Sequence, residues 1–245
     1  IARQHTVCPF ELGLDLSRHS DLIISDYNYV FDPVVYLRRF FDANSKDSIA
    51  LIDEAHNLVD RGREMFSATV VKESYLDISR LAKPVATEIH KAALAVNRAI
   101  LTLRNDDREE FQAQGFCQTT KLPQKVLLAL QRFCSAAEEE LKTERQHAWQ
   151  ESLLDCYFSS LRFVRTAENY QSDYVTLLQK CSNTTALSLY CVDPSRQLGY
   201  GFDRLASAVC FSATMNPQPY FQRLLGTSSQ ANWYRLASPF STKNL

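Results

Sequence analysis

Asp53 and Glu54 stand side by side directly after the apolar run "IALI", with His56 two residues further on, in "IALIDEAHNL" (49–58). Two adjacent carboxylates at the end of a buried strand can divide labour. One can hold Mg²⁺, directly or through water, while its neighbour orients or deprotonates an attacking water, as nucleoside triphosphate hydrolysis requires. Side chains at the C-terminal ends of strands in an open α/β sheet emerge into the crevice where ligands bind, so position favours this use. The plainer alternative is that the pair begins a helix, where Asp caps well and acidic groups complement the macrodipole. Average residue frequencies give the string "DEAH" in a chain of this length roughly once in a thousand times. A second apolar run, in "AVCFSATMNP" (208–217), ends at Ser212 and Thr214. Their hydroxyls can hydrogen-bond a neighbouring carboxylate or histidine, although Ser-Ala-Thr alone is a common polar turn.

The elements that must hold these residues follow from the pattern around them. In residues 21–58, short apolar runs such as "LIIS" and "IALI" alternate with helical patterns such as "DPVVYLRRFFD", the rhythm of buried strands in an α/β layer. That rhythm returns with "ALSLYCV" (186–192) and "SAVCF" (207–211), followed by "NPQPYFQRLLG", a helix with prolines in its first turn and Gly226 past its end. Residues 70–170 differ, with almost no glycine and long helical periodicity. Val85, Ile89, Ala92, Val96, Ile100 and Leu103 make one apolar stripe after the breaker Pro84. Val126, Leu130, Phe133, Ala137 and Leu141 make a second, and Trp149, Leu153, Tyr157, Leu161 and Val164 a third. "NDDREEFQAQGFCQTTKLP" (105–123) reads as a loop between them. The expectation is an all-helical insertion inside an α/β domain.

Composition limits the partners. The chain has 245 residues, 45% hydrophobic and 22% charged, with a formal net charge of -1, so no global basic field points to a polyanion. Basic residues of the helical block, Arg162 and Arg165 among them, are interleaved with acidic ones and read as a solvated face. No apolar run approaches the roughly 20 residues that span a bilayer, and the start lacks the regions of a signal peptide. The expectation is no membrane and a cytoplasmic location, nucleoid-associated if bacterial. Seven scattered cysteines, with no C-x-x-C pair, read as reduced thiols.

Strand-DEAH followed by strand-SAT resembles motifs II and III of superfamily 2 helicases. "CPFELGLDLSRHSDLIISDYNYVFDP" (8–33) narrows the resemblance to the XPD/DinG family of iron-sulfur DNA helicases, with Cys8, Tyr27, Tyr29, Asp32 and Pro33 matching in place. The fold implied is α/β: a partial RecA-like parallel sheet of the P-loop NTPase type carrying a large all-α Arch-like insertion. The implied division is 1–65 for the first part of motor domain 1, 66–172 for the insertion, 173–236 for the return, and 237–245 for the start of a linker, where "SPF" (238–240) resembles the junction to a second motor domain. By the same resemblance Asp53 holds Mg²⁺, Glu54 activates water for attack on ATP, and His56 couples that site to Ser212 and Thr214. Cys8 is the last of four ligands to a 4Fe-4S cluster, its plainer reading being a structural cysteine. Tyr27 and Tyr29 could stack on single-stranded bases, although tyrosines near a strand end more often pack at a core or rim.

No G-x-x-x-x-G-K-[ST] phosphate loop occurs in the sequence, and one thiolate cannot hold a cluster. The chain is therefore expected to be the central part of a helicase acting 5′ to 3′ on single-stranded or forked DNA, itself neither binding a cluster nor hydrolysing ATP. The alternative is a non-catalytic protein-interaction module in which a helicase-like remnant carries the helical block.

Overall fold

The computed structural model describes residues 5–35, 37, 41, 47–106, 108–143, 147–227 and 231–237. Two sheets organise them: a parallel pair that carries the motifs and a separate four-stranded antiparallel sheet.

The parallel pair joins β1 (Ile49–Ile52) to β6 (Ser207–Cys210), in the register Ile49↔Ser207 to Ile52↔Cys210. Backbone bonds continue past both ends of the ladder: Ala206 N donates to Ser48 O at 2.9 Å, Phe211 N to Ile52 O at 3.0 Å, and Ala55 N to Phe211 O at 3.1 Å. The chain leaves β1 through a 3₁₀ turn, Ala55–Asn57, into α3 (Leu58–Phe66). Leu58, Val59, Gly62, Met65 and Phe66 of α3 are buried, one stripe at helical spacing. It packs with Phe31 of α2 (Asn28–Phe31), Leu198 of α9 (Ser195–Phe202), and Phe221 and Leu224 of α10 (Gln218–Leu224) into a core around Ile52. Gly226, at φ +66°, closes α10 as the sequence implies. A Cβ there would lie 1.9 Å from the Ser195 carbonyl oxygen, so the position admits no side chain. The leading helix, α1 (Pro9–Ser17), has no buried residue.

Not every apolar run near β1 is a strand. "LIIS" pairs with no strand among the described residues, and Leu22 and Ile24 are 75% and 92% exposed. An apolar run becomes a strand only where a neighbouring backbone accepts its hydrogen bonds. Most of "VVYLRRFFD" and all of "SPF" lie outside the described residues.

The all-α expectation for the insertion is overturned. Between β1 and β6 the chain builds a sheet in the order β2-β5-β4-β3, with β2 (Ala68–Val71), β3 (Phe116–Thr119), β4 (Tyr174–Cys181) and β5 (Thr184–Cys191), all antiparallel. "ALSLYCV" is a strand, as expected, but it belongs to this sheet and not to the parallel pair. The segment read as a loop contains α6 (Arg108–Gln114) and β3, joined at Gly115 with φ +77°. Four-residue strands escape the period-2 signal because two inward side chains do not make a pattern.

On this sheet lie α4 (Lys72–Ala82), α5 (Thr87–Asp106), α7 (Gln124–Leu141) and α8 (Gln150–Glu168). Their shared core includes Tyr75, Ile89, Val96, Ile100, Leu130, Phe133, Phe163, Leu187 and Leu189. The α5 and α7 stripes face it as expected, except that Val85 precedes the helix and is exposed. The third stripe also meets this core, with Trp149 and Leu153 buried in it and Tyr157 and Val164 packed against it, but the most buried face of its helix is shifted. The buried face of α8 is Leu153, Cys156, Ser160, Phe163 and Ala167, while the Tyr157 hydroxyl donates to Glu138 at 2.8 Å. Ser160 and Cys156 hide this face from a hydropathy pattern. Ser160 is fully buried because its Oγ meets the Tyr75 hydroxyl at 2.7 Å and donates to Cys156 O at 2.6 Å.

Candidate active site

The register of β1 and β6 fixes the site before any side chain acts. Ile52 lies opposite Cys210, so Asp53–Glu54 and Phe211–Ser212 leave the sheet together at its C-terminal edge. The Ala55 N to Phe211 O bond holds the two exits adjacent. Glu54 then turns sharply, at φ 47° and ψ 41°, a left-handed conformation costing about 1–2 kcal/mol for a residue with a side chain. That turn brings its carboxylate back over the sheet edge.

Four side chains meet there. Ser212 Oγ donates to Glu54 Oε2 at 3.3 Å and lies 2.8 Å from His56 Nδ1. His56 Nδ1 is 3.2 Å from the same Glu54 oxygen. Thr214 N donates to Ser212 Oγ at 3.2 Å, with Thr214 Oγ1 3.5 Å from that oxygen. Ser212 is thus a hub with one proton to give. With Nδ1–H on the imidazole, His56 donates to Ser212, which in turn donates to the carboxylate. Any change in charge at Glu54 is felt at Ser212 and, through it, by the backbone of the segment after β6. Asp53 and Glu54 are both exposed, as groups that receive a ligand must be.

Asp53 spends one oxygen locally, Oδ1 accepting from Glu54 N at 2.7 Å. A single carboxylate at a strand end fits an Mg²⁺ that keeps most of its waters and takes its other ligands from phosphate. Among the described residues no group of three His, Cys, Asp or Glu side chains could hold a metal by itself. The iron-sulfur ligand set is not assembled: Cys8 is exposed at the N-cap of α1, Cys117, Cys134, Cys156 and Cys191 are buried elsewhere, and burial pushes the Cys134 thiol up to about 11.

The two tyrosines are placed differently from each other. Tyr27 turns its hydroxyl onto the backbone of the acidic pair, donating to Asp53 O at 2.5 Å and Glu54 O at 3.2 Å. Partial burial raises its pKa, with further increments from Asp53, Glu54 and Asp26 against a smaller opposing effect of Arg61, so it remains a donor. Tyr29 stacks on Phe10, with ring centroids 6.5 Å apart and planes inclined by 28°. Sequence reasoning missed two further contributors, the Phe211 carbonyl and the Tyr27 hydroxyl. The first is backbone and leaves no trace in residue type, whereas the second had a signal in the matched tyrosine position.

Comparison with known proteins finds similarity across the first part of the chain. The family DEAD_2 matches residues 1–75. A regulator of telomere elongation helicase 1 homolog from Caenorhabditis briggsae is 32% identical over 123 residues, covering 50% of this chain and 12% of that protein. Over these stretches the chain is similar to superfamily 2 helicases of the XPD type. The general transcription and DNA repair factor IIH helicase subunit XPD/RAD3 of Saccharomyces cerevisiae is 23% identical and spans 91% of this chain, against 37% of its own length. A solved structure titled as S. tokodaii Xpd4 superposes with a TM-score of 0.43 at 12% identity, covering 77% of this chain and 39% of that one. The chain thus spans about one eighth of the nematode relative and under two fifths of the yeast one.

Proposed function

We propose that this chain is the motif II to motif III part of an ATP-dependent DNA helicase, forming one portion of a RecA-like motor domain interrupted by an Arch-like insertion. One observation carries the reading: the Glu54–His56–Ser212 contact, made by segments far apart in sequence at the shared C-terminal edge of parallel strands. In this reading Asp53 positions Mg²⁺, which when bound neutralises phosphate charge. Glu54 orients and deprotonates the attacking water. His56, Ser212 and Thr214 convert the state of the carboxylate into movement of the segment after β6. Cys8 supplies one ligand of a 4Fe-4S cluster whose other three ligands are not in this chain. The division follows the sequence expectation at 1–65, with the insertion extended from 66 through Cys191, because β4 and β5 share a sheet with β2 and β3. The substrate is single-stranded or forked DNA with 5′ to 3′ movement, by family likeness. No described helix is long and apolar enough to cross a membrane.

The test is Glu54→Gln in the full-length protein. It removes the base but keeps the shape, so DNA-stimulated ATP turnover should fall by at least a hundredfold while nucleotide binding persists. Unchanged turnover would overturn the assignment. Absence of turnover from the wild type as well would favour the non-catalytic interaction module.

A further inference from the structure

We infer that Tyr27 is a positioning residue of the acidic pair, its hydroxyl fixing the Asp53 and Glu54 carbonyls and so aiming the Glu54 carboxylate. This rests on the proposed hydrolytic reading and deepens it. The argument begins with the turn. Glu54 occupies a left-handed conformation that side-chain-bearing residues seldom adopt, so something must hold the peptide groups on either side of it. The Glu54 amide is held by Asp53 Oδ1 and the Ala55 amide by Phe211 O. The two carbonyls of the turn, Asp53 O and Glu54 O, share one side-chain donor, Tyr27. Rotating either peptide would break a contact on that side.

Tyr27 is itself held firmly. It opens α2, where Phe31 N donates to Tyr27 O at 2.9 Å. Phe31 is buried against Phe202, their rings edge to face at 5.0 Å between centroids. Arg204 Nη1 donates to Val30 O at 3.1 Å, tying α2 to the segment that leads into β6. Asp26 lies 3.8 Å from the Arg61 guanidinium on α3. The phenol is thus presented by an element braced against both sides of the site. Its hydroxyl bonds the backbone carbonyls of Asp53 and Glu54 rather than their carboxylates, so it acts on the geometry of the turn. The stacking role expected from the sequence would use the ring face instead.

The two roles separate by chemistry. In the full-length protein, Tyr27→Phe keeps the ring and removes the donor, whereas Tyr27→Ala removes both. The expected result for Tyr27→Phe is a roughly five- to tenfold lower kcat for ATP, the loss of about one hydrogen bond. KM for ATP and affinity for an oligothymidylate measured by fluorescence anisotropy should stay within about twofold, since ground-state contacts are untouched. Hydrogen exchange at the amides of residues 54–57 should speed up, with the amides of the insertion sheet unchanged. Tyr27→Ala should match Tyr27→Phe in kcat. A Phe variant with wild-type kcat and exchange overturns the inference. So does weakened oligothymidylate binding confined to the Ala variant, which would assign the ring to stacking. Glu54→Gln run alongside keeps the two readings apart: if it leaves turnover intact the hydrolytic assignment fails, while the exchange measurement still decides what the Tyr27 hydroxyl holds.

Discussion

The parallel pair and the antiparallel sheet use apolar sequence in opposite ways. The pair has four residues in each strand, and although Ile52 is buried, Ile49 and Leu51 are 68% and 70% exposed. The antiparallel sheet has eight-residue strands in β4 and β5, with Leu187 and Leu189 fully buried under a layer of helices. Yet Asp53, Glu54, His56, Ser212 and Thr214 all lie on the smaller unit. Chemistry needs two strand ends in fixed register, which a short ladder supplies; stability needs apolar area removed from water, which the insertion supplies. The division of work between them can be broken in three places.

The largest effect is expected in the insertion core. Phe163 is fully buried at the junction of α8 with the sheet, and Phe163→Ala should cost about 3–5 kcal/mol in denaturant unfolding. It should leave the Glu54–His56–Ser212 contact intact under native conditions. If the same variant perturbed the His56 imidazole resonance in NMR, the two regions would not be separable.

A middle-sized effect is expected where they join. Arg162, on α8, donates through Nη2 to Glu64 O at 2.9 Å and Met65 O at 3.2 Å, and through Nε to Ser67 O at 3.2 Å. These are the last carbonyls of the helix that follows "DEAH" and of the residue after it, so one guanidinium caps α3 from the insertion. Arg162→Met should cost about 1–2 kcal/mol, the value of charge-assisted bonds near solvent. In calorimetry it should broaden or split the unfolding transition as the regions lose a tie. A uniform shift of one sharp transition would show that Tyr174, whose hydroxyl donates to Phe66 O at 3.2 Å, suffices.

The smallest effect depends on pH and belongs to the insertion alone. Burial tends to raise the Glu73 pKa, but the Lys72 ammonium at 2.8 Å and the Thr185 amide at 2.7 Å outweigh it and hold the carboxyl below its ordinary value. A lowered folded-state pKa contributes stability above the unfolded value that is lost as pH falls through the folded one. Glu73→Gln should therefore flatten the acid side of the stability profile of the insertion, below about pH 4.5, without altering its neutral-pH slope. An unchanged acid limb would assign that dependence to other carboxylates.

The sequence made the site's parts legible because each motif follows an apolar run that ends abruptly. β1, β6 and their shared edge follow from "IALIDEAH" and "SAVCFSAT", and the contact between Glu54 and Ser212 is what parallel pairing of those runs would require. The insertion was half legible. The stripes of α5 and α7 are strong because Ile, Val, Leu and Phe fill them, but α8 buries Cys156 and Ser160, whose polarity is satisfied internally and so misleads a hydropathy reading. β2 and β3 are too short for a period and exist because β5 and β4 offer them hydrogen-bonding edges. Arg162 read as a solvated charge because its partners are carbonyls, which no sequence displays. "LIIS" shows the converse: strand-forming residues, with no edge among the described residues to receive them.

The spacing of β1 and β6 also sets a timetable for synthesis. Every strand of the antiparallel sheet lies between them, so the insertion can fold from contiguous chain while β1 still lacks its partner. At ribosomal rates of about 5–20 residues per second, Ile52 emerges roughly 8–30 s before Ser207. During that interval the backbone of Ile49–Ile52 has no β6 ladder to pair with. The acidic pair thus acquires its serine last of all, and a stalled or truncated translation product ending before residue 207 would carry a finished insertion and no assembled site.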